Sequence, residues 1–323
     1  FTNTITDDTI YSIFRKVDER LGLTMMTQKQ ANLILATVSM AWGTSYIFMK
    51  LGVDTIPPLT IVALRCGIAF ILLAAIFYKK IIRVDAKALK YSAIMGALLC
   101  GIFIGLVYGV KYTTASTAGF LTSTTVILVP VLQIFITRKL PSKRIIYGIM
   151  IVSVGLGLLM IKDDFSISIG SIYCLVAALL YAIHILVTNH FVKEVDALKL
   201  AIFQLGFAAL YATIGTFIFE TPVLPQGMIP WIAILGLAFI CSAYGFVMQP
   251  IAQKYTTPES VGFLFSLEPV FTAIFALIFL HEMIMIQEYL GALFILVGVL
   301  LANSTPKKRE TSILFKSKGL TID

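Results

Sequence analysis

One stretch of the chain occurs twice, at a constant offset of 143 positions (254 − 111 = 143) and without a gap. The matching segments are Lys111-Tyr112-Thr113-Thr114 with Lys254-Tyr255-Thr256-Thr257, Gly119-Phe120-Leu121 with Gly262-Phe263-Leu264, Ser123 with Ser266, Gly148 with Gly291, and Val154-Gly155 with Val297-Gly298. A repeat of this length indicates one structural unit used twice. We therefore predict two related halves, in which each candidate residue has a mate.

Long apolar runs fill both halves. Hydrophobic residues make up 59% of the chain and charged residues 13%, against roughly 45–50% and 25% in soluble domains. Each run approaches the roughly 20 residues with which a helix crosses a bilayer. The runs lie at 31–50, 60–78, 91–110, 116–137, 144–161, 169–190, 198–219, 230–251, 258–280 and 285–303. These runs predict an all-α integral membrane protein with ten transmembrane helices.

The repeat extends towards the N-terminus at slightly smaller offsets. An offset of 139 (181 − 42) superposes Trp42 on Tyr181 and Arg65 on Gln204, and an offset of 140 (236 − 96) superposes Gly96 on Gly236. Spans 1–5 and 6–10 are therefore two copies of one unit. Because each copy has an odd number of spans, the second copy enters the membrane upside down. We predict two inverted five-helix repeats, an arrangement in which secondary transporters bind their solute between the repeats.

The distribution of basic residues predicts the orientation of the spans. One side of the membrane collects Lys29, Lys79, Lys80, Arg83, Lys87, Lys90, Arg138, Lys139, Lys143, Arg144, Lys193, Lys199, Lys307, Lys308 and Arg309. The other side is predicted to hold only Lys50, Lys111, Lys162 and Lys254. By the positive-inside rule both termini are cytoplasmic, in a multi-pass protein of the cell membrane. Since the formal charge of +8 lies in short loops, we expect the lipid bilayer and no nucleic acid as a partner.

The two ends of the chain differ in kind from the spans. Ile10, Phe14, Val17 and Leu21 recur at helical spacing among charged residues, which is typical of an amphipathic helix on a membrane surface. A tail outside the functional unit fits the same pattern. The predicted boundaries are 1–28 for this cytoplasmic segment, 29–161 for the first repeat, 162–303 for the second repeat and 304–323 for a basic cytoplasmic tail.

Several motifs follow the order seen in a known family. Ala41-Trp42-Gly43 and Leu64-Arg65-Cys66 resemble the first-repeat signatures of EamA-type transporters, the ten-helix members of the drug/metabolite transporter superfamily. Ser266-Leu267-Glu268-Pro269-Val270, then Leu280-His281-Glu282 and Gly291 to Gly298, resemble the second-repeat signature. The resemblance covers about 31–303 and implies export or exchange of small metabolites by alternating access. The chain departs at Lys139, which aligns with Glu282; many relatives carry Glu in both repeats.

Glu268 is the most informative polar residue within a span. It lies about midway along span 9, where an ionised carboxylate is penalised by roughly 2.5 kcal/mol or more. Its repeat mate is Thr125, so the architecture does not require an acid at this position. We expect Glu268 to bind a cationic group of the solute or a coupling proton. The alternative is a structural role in hydrogen bonds beside Pro269.

Other polar and aromatic residues predict the lining of a solute site. Trp42, Ser45 and Tyr46 share one face of span 1, and Tyr181 and His184 are the mates of Trp42 and Ser45. The predicted solute-binding set is Trp42, Ser45, Tyr46, Tyr108, Thr122, Tyr181, His184, Tyr244, Phe265, Glu268 and Thr272. Apolar walls with few polar groups suit an amphipathic solute. The alternatives are ordinary packing for the aromatic residues and an interhelical hydrogen bond for His184.

Arg65 and the small residues of the end spans have two interpretations each. Arg65, near one end of span 2, is either an anion gate or clamp for the solute, or a structural side chain that snorkels to the interface or donates to carbonyls of the facing loop. The glycines at Gly148, Gly155, Gly291 and Gly298 favour close helix packing, either between the repeats or between the protomers of a homodimer. The four cysteines have no CxxC spacing, so we expect no metal and no cofactor.

The sequence therefore favours a secondary active transporter, an exporter or exchanger of small amphipathic metabolites such as amino acids, amines or drug-like compounds. An enzyme is disfavoured because no GxSxG, Walker or complete HExxH sequence occurs. An ATP-driven pump is disfavoured because no loop can hold a nucleotide domain. The remaining alternatives are a transporter of phosphorylated sugars or nucleotide-sugars, whose sites need several basic groups, and a non-transporting membrane receptor or scaffold.

Overall fold

The computed structural model describes residues 26–138, 140–160, 168–265, 267–280 and 286–303. The predicted amphipathic segment at 1–25, the tail at 304–323, Lys139, Lys162, Ser266 and His281-Glu282 lie outside the described residues. Within the described ranges every regular element is a helix. The first half contains α1 (Gln28–Val53), α2 (Pro58–Ile76), α3 (Tyr78–Ile81), α4 (Ala86–Tyr112), α5 (Ala115–Thr122), α6 (Thr125–Thr137) and α7 (Lys143–Met160).

The second half repeats this order. It contains α8 (Ile169–Phe191), α9 (Ala197–Phe219), α10 (Met228–Gly236), a π-helix (Leu237–Tyr244), α11 (Gly245–Gln253), α12 (Pro258–Phe265), α13 (Glu268–Leu280) and α14 (Ile286–Asn303). Eight stretches in the described ranges are long and apolar enough to cross a membrane, with α5–α6, α10–α11 and α12–α13 each counted as one. The predicted runs at 144–161 and 285–303 form the helices α7 and α14, which are not among these eight.

Large apolar side chains on the outside of the bundle fit this membrane assignment. Ile71, Phe135 and Phe217 are among the many large hydrophobic residues that are mostly exposed. A soluble monomer rarely exposes apolar surface on this scale, whereas hydrocarbon solvates it. The chain is therefore a multi-pass membrane protein.

Capping residues make two of the helices longer than the apolar runs that predicted them. Thr27 accepts a hydrogen bond from the Gln30 N–H at 3.3 Å, and the Gln30 side chain accepts from the Thr27 N–H at 2.9 Å. Asp85 similarly accepts from the Ala88 N–H at 3.1 Å at the start of α4. These bonds satisfy N–H groups that a helix start leaves free. Hydropathy cannot detect these polar first turns.

Two helical stretches are interrupted at the same place in each repeat. The first half breaks between Thr122 and Thr125, and the second between Phe265 and Glu268, which are their mates at the offset of 143. In the first half the turn is stabilised by hydroxyls that donate to nearby carbonyls. Thr125 Oγ1 donates to Thr122 O at 2.7 Å. In the second half Pro269 is the second residue of α13 and suits a helix start. Apolar periodicity predicted neither interruption.

One assignment of membrane side was wrong. Lys254 was predicted on the same side as Lys111. In the structure, Thr256 Oγ1 donates to Asn32 Oδ1 at 2.9 Å, and Asn189 Nδ2 donates to Thr256 O at 3.4 Å. Asn32 lies beside Lys29, and Asn189 beside Lys193. Because a chain changes sides at every span, Lys254, which ends the eighth span, shares a side with Lys29 and Lys193. We call the two ends of the bundle the Lys29 end and the Lys111 end.

A polar cluster ties the α8–α9 loop to the first turns of α4 at the Lys29 end. Glu194 accepts a hydrogen bond from the Tyr91 hydroxyl at 2.6 Å and pairs with Lys87 at 2.9 Å. His190 lies 3.1 Å from the same carboxylate. The hydrogen bond from Tyr91, followed by that from Lys87, lowers the pKa of Glu194. The ionised form is therefore the one that holds this loop.

Acid is expected to loosen this cluster. Because the folded-state pKa of Glu194 is lowered, its stabilisation is fully present above the unfolded value of about 4.3 and is lost as the pH falls through the folded value. We expect the melting-temperature difference between wild type and Glu194→Gln to be present near pH 5 and to shrink below about pH 4. Thermal melting in detergent across this range measures it. A difference that does not change with pH would contradict the assignment.

The end helices α7 and α14 pack against each other within one chain. A Cβ added at Gly298 would lie 2.9 Å from Gly148 O and 2.6 Å from Val152 Cγ2. Glycine at this position is therefore what allows the two backbones to approach, as in other membrane helix pairs. The contact between the repeats, one of the two predicted roles for these small residues, is thus present in the structure. The contact between protomers stays a prediction.

Gly298→Val is expected to destabilise the protein by about 1–3 kcal/mol, because the added side chain overpacks a backbone contact. The matched control is Gly157→Val on α7, where an added Cβ meets no atom within 4 Å. Thermal melting of both variants in the same detergent checks the expectation. Equal melting temperatures for the two variants would mean that the contact between α7 and α14 at Gly298 can open without loss of stability.

Candidate functional site

Five buried aromatic residues from five spans meet near the centre of the bundle. We call this group the central aromatic cluster: Trp42, Phe103, Tyr181, Phe246 and Phe265. The Trp42 ring lies 4.8 Å from both Phe246 and Phe265 and 5.7 Å from Tyr181, measured between ring centres. Tyr181 stacks on Phe265 at 5.7 Å, and Phe246 meets Phe103 edge-on at 5.2 Å. Such pairs provide a rigid apolar wall.

Trp42 is fixed in this cluster by one hydrogen bond. Its indole Nε1 donates to the carbonyl of Cys241 at 2.9 Å. Cys241 lies in the π-helix, a widened type of turn that often occurs at functional sites. Trp42 also contacts its repeat mate Tyr181, with 5.7 Å between ring centres. The corresponding faces of α1 and α8 therefore meet at the cluster.

Glu268 lies at the edge of the cluster, at the first position of α13. Its side chain is only 6% exposed. The positive end of a helix favours a carboxylate, and the Tyr46 hydroxyl is its polar neighbour. Thr272 Oγ1 donates to Glu268 O at 2.9 Å and approaches Gly43 O at 3.4 Å. The carboxyl group is therefore held at the end of a helix and not in its middle.

Gly43 lets α1 approach this helix end closely. A Cβ at position 43 would lie 2.6 Å from Phe271 Cβ and 3.2 Å from Glu268 O. Any side chain at position 43 would push α13 away from α1. The glycine beside Trp42 therefore places Glu268 against the face that carries Trp42 and Tyr46.

His184 belongs to a separate hydrogen-bond chain behind the cluster. Its Nε2 lies 3.1 Å from Gln204 Oε1, and its Nδ1 lies 3.5 Å from Thr188 Oγ1. Gln204 Nε2 donates to Phe246 O at 3.4 Å. Both His184 and Gln204 are fully buried. His184 is thus already paired on both ring nitrogens, although its ring still approaches Tyr181 and Phe246 to 6.3 Å.

The other predicted lining residues divide into two groups. Thr122 and Ser45 are buried, and Thr122 lies beside Tyr46. Tyr244 is 40% exposed, and its hydroxyl pairs with Thr37 Oγ1 at 2.6 Å on the outside of the bundle. Tyr108 lies at the Lys111 end. The structure therefore brings together seven of the predicted residues: Trp42, Tyr46, Thr122, Tyr181, Phe265, Glu268 and Thr272. His184 lies behind them, and Tyr108 and Tyr244 lie away from them.

Tyr108 is part of a carboxylate site that sequence reasoning did not detect. Its hydroxyl donates to Glu220 at 3.3 Å, and both Glu220 oxygens accept from the Leu59 N–H at 3.0 Å. The Thr60 N–H adds a contact of 3.2 Å. Since Pro57 has no side-chain cap to offer, Glu220 caps α2 from the end of another helix. An open cavity of about 570 Å³ adjoins these residues and also contacts Asp54 and Lys111.

Arg65 is buried rather than at the interface. It is 1% exposed, its Nε donates to Ser242 Oγ at 3.0 Å, and its guanidinium lies 3.8 Å above the Phe103 ring. The alternative in which Arg65 snorkels to the membrane surface is therefore wrong. The side chain joins the far side of the central aromatic cluster.

Sequence reasoning did not identify four residues that belong to the central aromatic cluster or contact Glu268 or Arg65 beside it. They are Gly43, Phe103, Phe246 and Ser242. Aromatic and small residues are common in every span, so their types carry little signal. Gln204 had a detectable signal, because it is a polar residue at the repeat mate of Arg65. The remaining contacts depend on how each helix is rotated against its neighbours.

The comparisons with known proteins identify the family. The model of the EamA-like transporter family matches residues 29–161 and again residues 168–304. The chain belongs to the EamA-like transporter family. An uncharacterized transporter of Archaeoglobus fulgidus is 27% identical to this EamA-like protein, over 84% of this chain and 85% of the relative. The uncharacterized transporter YoaV of Bacillus subtilis is 28% identical, over 85% of this chain and 97% of the relative.

A solved crystal structure agrees with the fold of this EamA-like protein. It superposes with a TM-score of 0.70 at 17% identity, over 85% of this chain and 96% of the other. At that identity the likeness concerns the fold alone. The family membership predicted from the motifs is confirmed, and with it a general role in transport.

Proposed function

We propose that this protein is a secondary active transporter, an exporter or exchanger, that moves small amphipathic metabolites such as amino acids, amines or drug-like compounds by alternating access. The observation that carries the proposal is the position of Glu268. A buried carboxyl group lies at the start of an interrupted helix and beside an aromatic wall. Interrupted helices whose ends face a solute are typical of secondary transporters.

The proposed architecture is ten transmembrane helices in two inverted five-helix repeats. Both termini lie in the cytoplasm, and the protein lies in the cell membrane. Two features support the inversion. The interruptions at Thr122 to Thr125 and at Phe265 to Glu268 recur at one offset, and the mates Trp42 and Tyr181 meet at 5.7 Å. The shared side of Lys29, Lys193 and Lys254 supports the orientation, because it leaves few basic residues at the Lys111 end.

The proposed solute site lies between Glu268 and the central aromatic cluster. Trp42, Tyr46, Tyr181 and Phe265 are each at most 5% exposed, so the conformation is closed around this point. The solute enters when one end of the bundle opens and its apolar part replaces contacts between the rings. Glu268 binds a cationic group of the solute in one stage of the cycle and a proton in the other, which couples transport to the proton gradient.

The rival solute class of phosphorylated sugars or nucleotide-sugars has less support. Phosphate groups are usually held by several Lys or Arg side chains. Among the residues that the structure describes, Arg65 is the one Lys or Arg whose side chain is buried. A single guanidinium beside an aromatic wall fits a less strongly charged solute.

Flux into proteoliposomes tests the proposal. The vesicles are offered a mixed metabolite pool, with and without an imposed pH gradient, and their contents are read by mass spectrometry. We expect at least one amino acid, amine or drug-like compound to accumulate in vesicles with protein and not in empty vesicles. If correctly folded protein moves none of these compounds, the proposal fails, and the receptor or scaffold alternative takes its place.

A further inference from the structure

The open cavity beside Glu220 lies at the Lys111 end, well away from the central aromatic cluster. Its volume of about 570 Å³ is enclosed by the α1–α2 loop, the end of α4 and the loop after α9, and it is of the size that small organic ligands occupy. Asp54, which lines it at the end of α1, follows Trp42 by 12 residues (54 − 42). That spacing corresponds to about 18 Å along a helix. The cavity is therefore separate from the proposed solute site.

Three tyrosines form a stacked group at this cavity. The Tyr108 ring lies 5.3 Å from Tyr173 and 6.5 Å from Tyr112, measured between ring centres, with interplanar angles of 27° and 17°. Tyr108 and Tyr112 line the cavity, and Tyr112 is 49% exposed. The face of an aromatic ring attracts organic cations and also packs against an apolar body. The group therefore offers an accessible aromatic platform.

Glycines behind the platform bring α4 and α8 into backbone contact. A Cβ added at Gly170 would lie 2.9 Å from Tyr112 Cβ and 3.0 Å from Gly109 O. A Cβ added at Gly105 would lie 2.9 Å from Tyr173 O. Because the two helices meet this closely, the three rings are fixed before any ligand arrives. A preformed site of this kind spends little free energy on ordering when it binds.

The charged groups of the cavity lining carry a net negative charge. Among the described lining residues they are Asp54, Glu220 and Lys111, which sum to −1 (−2 + 1). Glu220 is held in place by the Leu59 N–H and the Thr60 N–H. Asp54 is exposed, and its carboxylate makes no ion pair or hydrogen bond within the described part of the chain. The cavity thus contains one fixed carboxylate and one carboxylate that is available to a ligand.

Other classes of ligand fit this lining less well. An anion would need the free N–H groups at the start of α2, but Glu220 already accepts from them, and it would meet two carboxylates. A metal ion would need several ligands close together. The described residues contain no group of three or more His, Cys, Asp or Glu that could hold one. An organic ammonium ion matches both the negative lining and the aromatic platform.

We propose that this cavity is a second binding site, which takes a small organic ammonium ion with an apolar body. The ammonium group pairs with Asp54 on the side of the cavity that holds Glu220, and the apolar body lies against Tyr108 and Tyr112. The Lys111 ammonium, 5.9 Å from the centre of the Tyr112 ring, moves aside on its flexible stem. This inference does not rest on the proposed function, because the ligand binds here whether or not the protein transports it.

The probes are 4-fluorobenzylamine, 4-fluorobenzyl alcohol and 4-fluorobenzoate, which share one fluorinated ring and differ in charge. Binding to the full chain in detergent is measured by fluorine NMR, with protein-free micelles as the blank. We expect wild type to bind the amine at least about fivefold more tightly than the alcohol, and the acid more weakly than either. An exposed ion pair and an exposed cation–π contact each contribute about two- to fivefold in affinity.

The variants change the platform and the charges separately from the fold. Asp54→Asn combined with Tyr112→Leu is expected to weaken the amine about four- to twentyfold and the alcohol by less than about twofold. Lys111→Met removes the like charge and is expected to tighten the amine about twofold, a gain that damaged folding cannot produce. The matched control combines Tyr78→Leu and Glu259→Gln at the Lys29 end, and it is expected to leave all three affinities unchanged.

The Glu268→Gln variant separates this site from the proposed solute site. We expect it to retain binding of 4-fluorobenzylamine, because Asp54 and the tyrosine platform are intact. Loss of that binding in Glu268→Gln, with normal binding in the variant of Asp54 and Tyr112, would overturn this inference and leave the proposed function standing. Equal affinity of wild type for the amine and the alcohol would also overturn it. A protein that shows the expected binding and transports nothing would overturn the proposed function alone.

Discussion

Replacing Glu268 by Gln is expected to abolish solute accumulation driven by a pH gradient, reducing it to the level of empty vesicles. The amide has nearly the same shape as the carboxyl group, so the start of α13 and its contacts with Gly43 and Thr272 are preserved. It cannot gain or lose a proton, so coupling is lost. It also cannot neutralise a cationic group in a low-dielectric site. The measurement is solute uptake into proteoliposomes with and without the gradient.

The matched control is Glu259→Gln. Glu259 lies in the first turn of α12, in the same membrane-crossing stretch, and is not part of the candidate site. The same chemical change at this position is expected to leave gradient-driven uptake intact. Normal gradient-driven uptake by Glu268→Gln would remove the coupling role and return Glu268 to a structural role at the helix end.

Trp42→Ala is expected to eliminate solute binding and flux. The indole contacts three rings of the central aromatic cluster and holds the π-helix through the Cys241 carbonyl. Truncating a buried Trp typically costs about 3–5 kcal/mol, so the melting temperature should fall as well. Trp42→Phe retains an aromatic ring and loses the hydrogen bond, at a cost of about 1 kcal/mol. We therefore expect Trp42→Phe to keep partial flux.

The chain contains two tryptophans, which gives this prediction its own control. Trp231 is 38% exposed on α10, away from the central aromatic cluster. Trp231→Ala is expected to transport like wild type. It also leaves Trp42 as the only fluorophore of its kind, so that binding of a solute at the cluster can be read directly from its emission. Wild-type flux in Trp42→Ala would mean that the solute site lies elsewhere.

The sequence predicted the helical membrane class and the family, because long apolar runs and a gap-free repeat depend only on residue order. It also predicted that Trp42 and Tyr181 belong together, since repeat mates occupy corresponding positions. The helix interruptions were not predictable in this way. The Ser and Thr residues at 122–125 are equally compatible with a polar face, and only backbone geometry reveals that their hydroxyls bond back to carbonyls.

Tyr108 and Tyr244 illustrate a second limit of prediction from sequence, which concerns how helices are rotated in the bundle. Periodicity assigns a residue to a face of its own helix, but it does not fix how far that helix is rotated or which end faces the site. The structure places Tyr108 beside Glu220, and Tyr244 beside Thr37 on the outside of the bundle. The wrong side for Lys254 has a simpler cause. The number of spans that precede it already assigns it to the side of Lys29. Arg65 required three-dimensional information, because only packing shows which of its nitrogens lacks a partner.

The cap that Glu220 provides for α2 has a mechanical consequence. It fastens the start of α2 to the end of α9. At the Lys29 end, the Lys199 ammonium in the first turn of α9 donates to the carbonyl of Arg83, in the loop that follows α3, at 2.7 Å. The segment formed by α2, α3 and this loop is therefore tied to α9 at both ends, which resists sliding of α2 along α9. We expect spin labels placed on α2 and α9 to keep one fixed separation while the rest of the molecule cycles. Opening at the Lys29 end or the Lys111 end then depends on helices that are not tied together in this way.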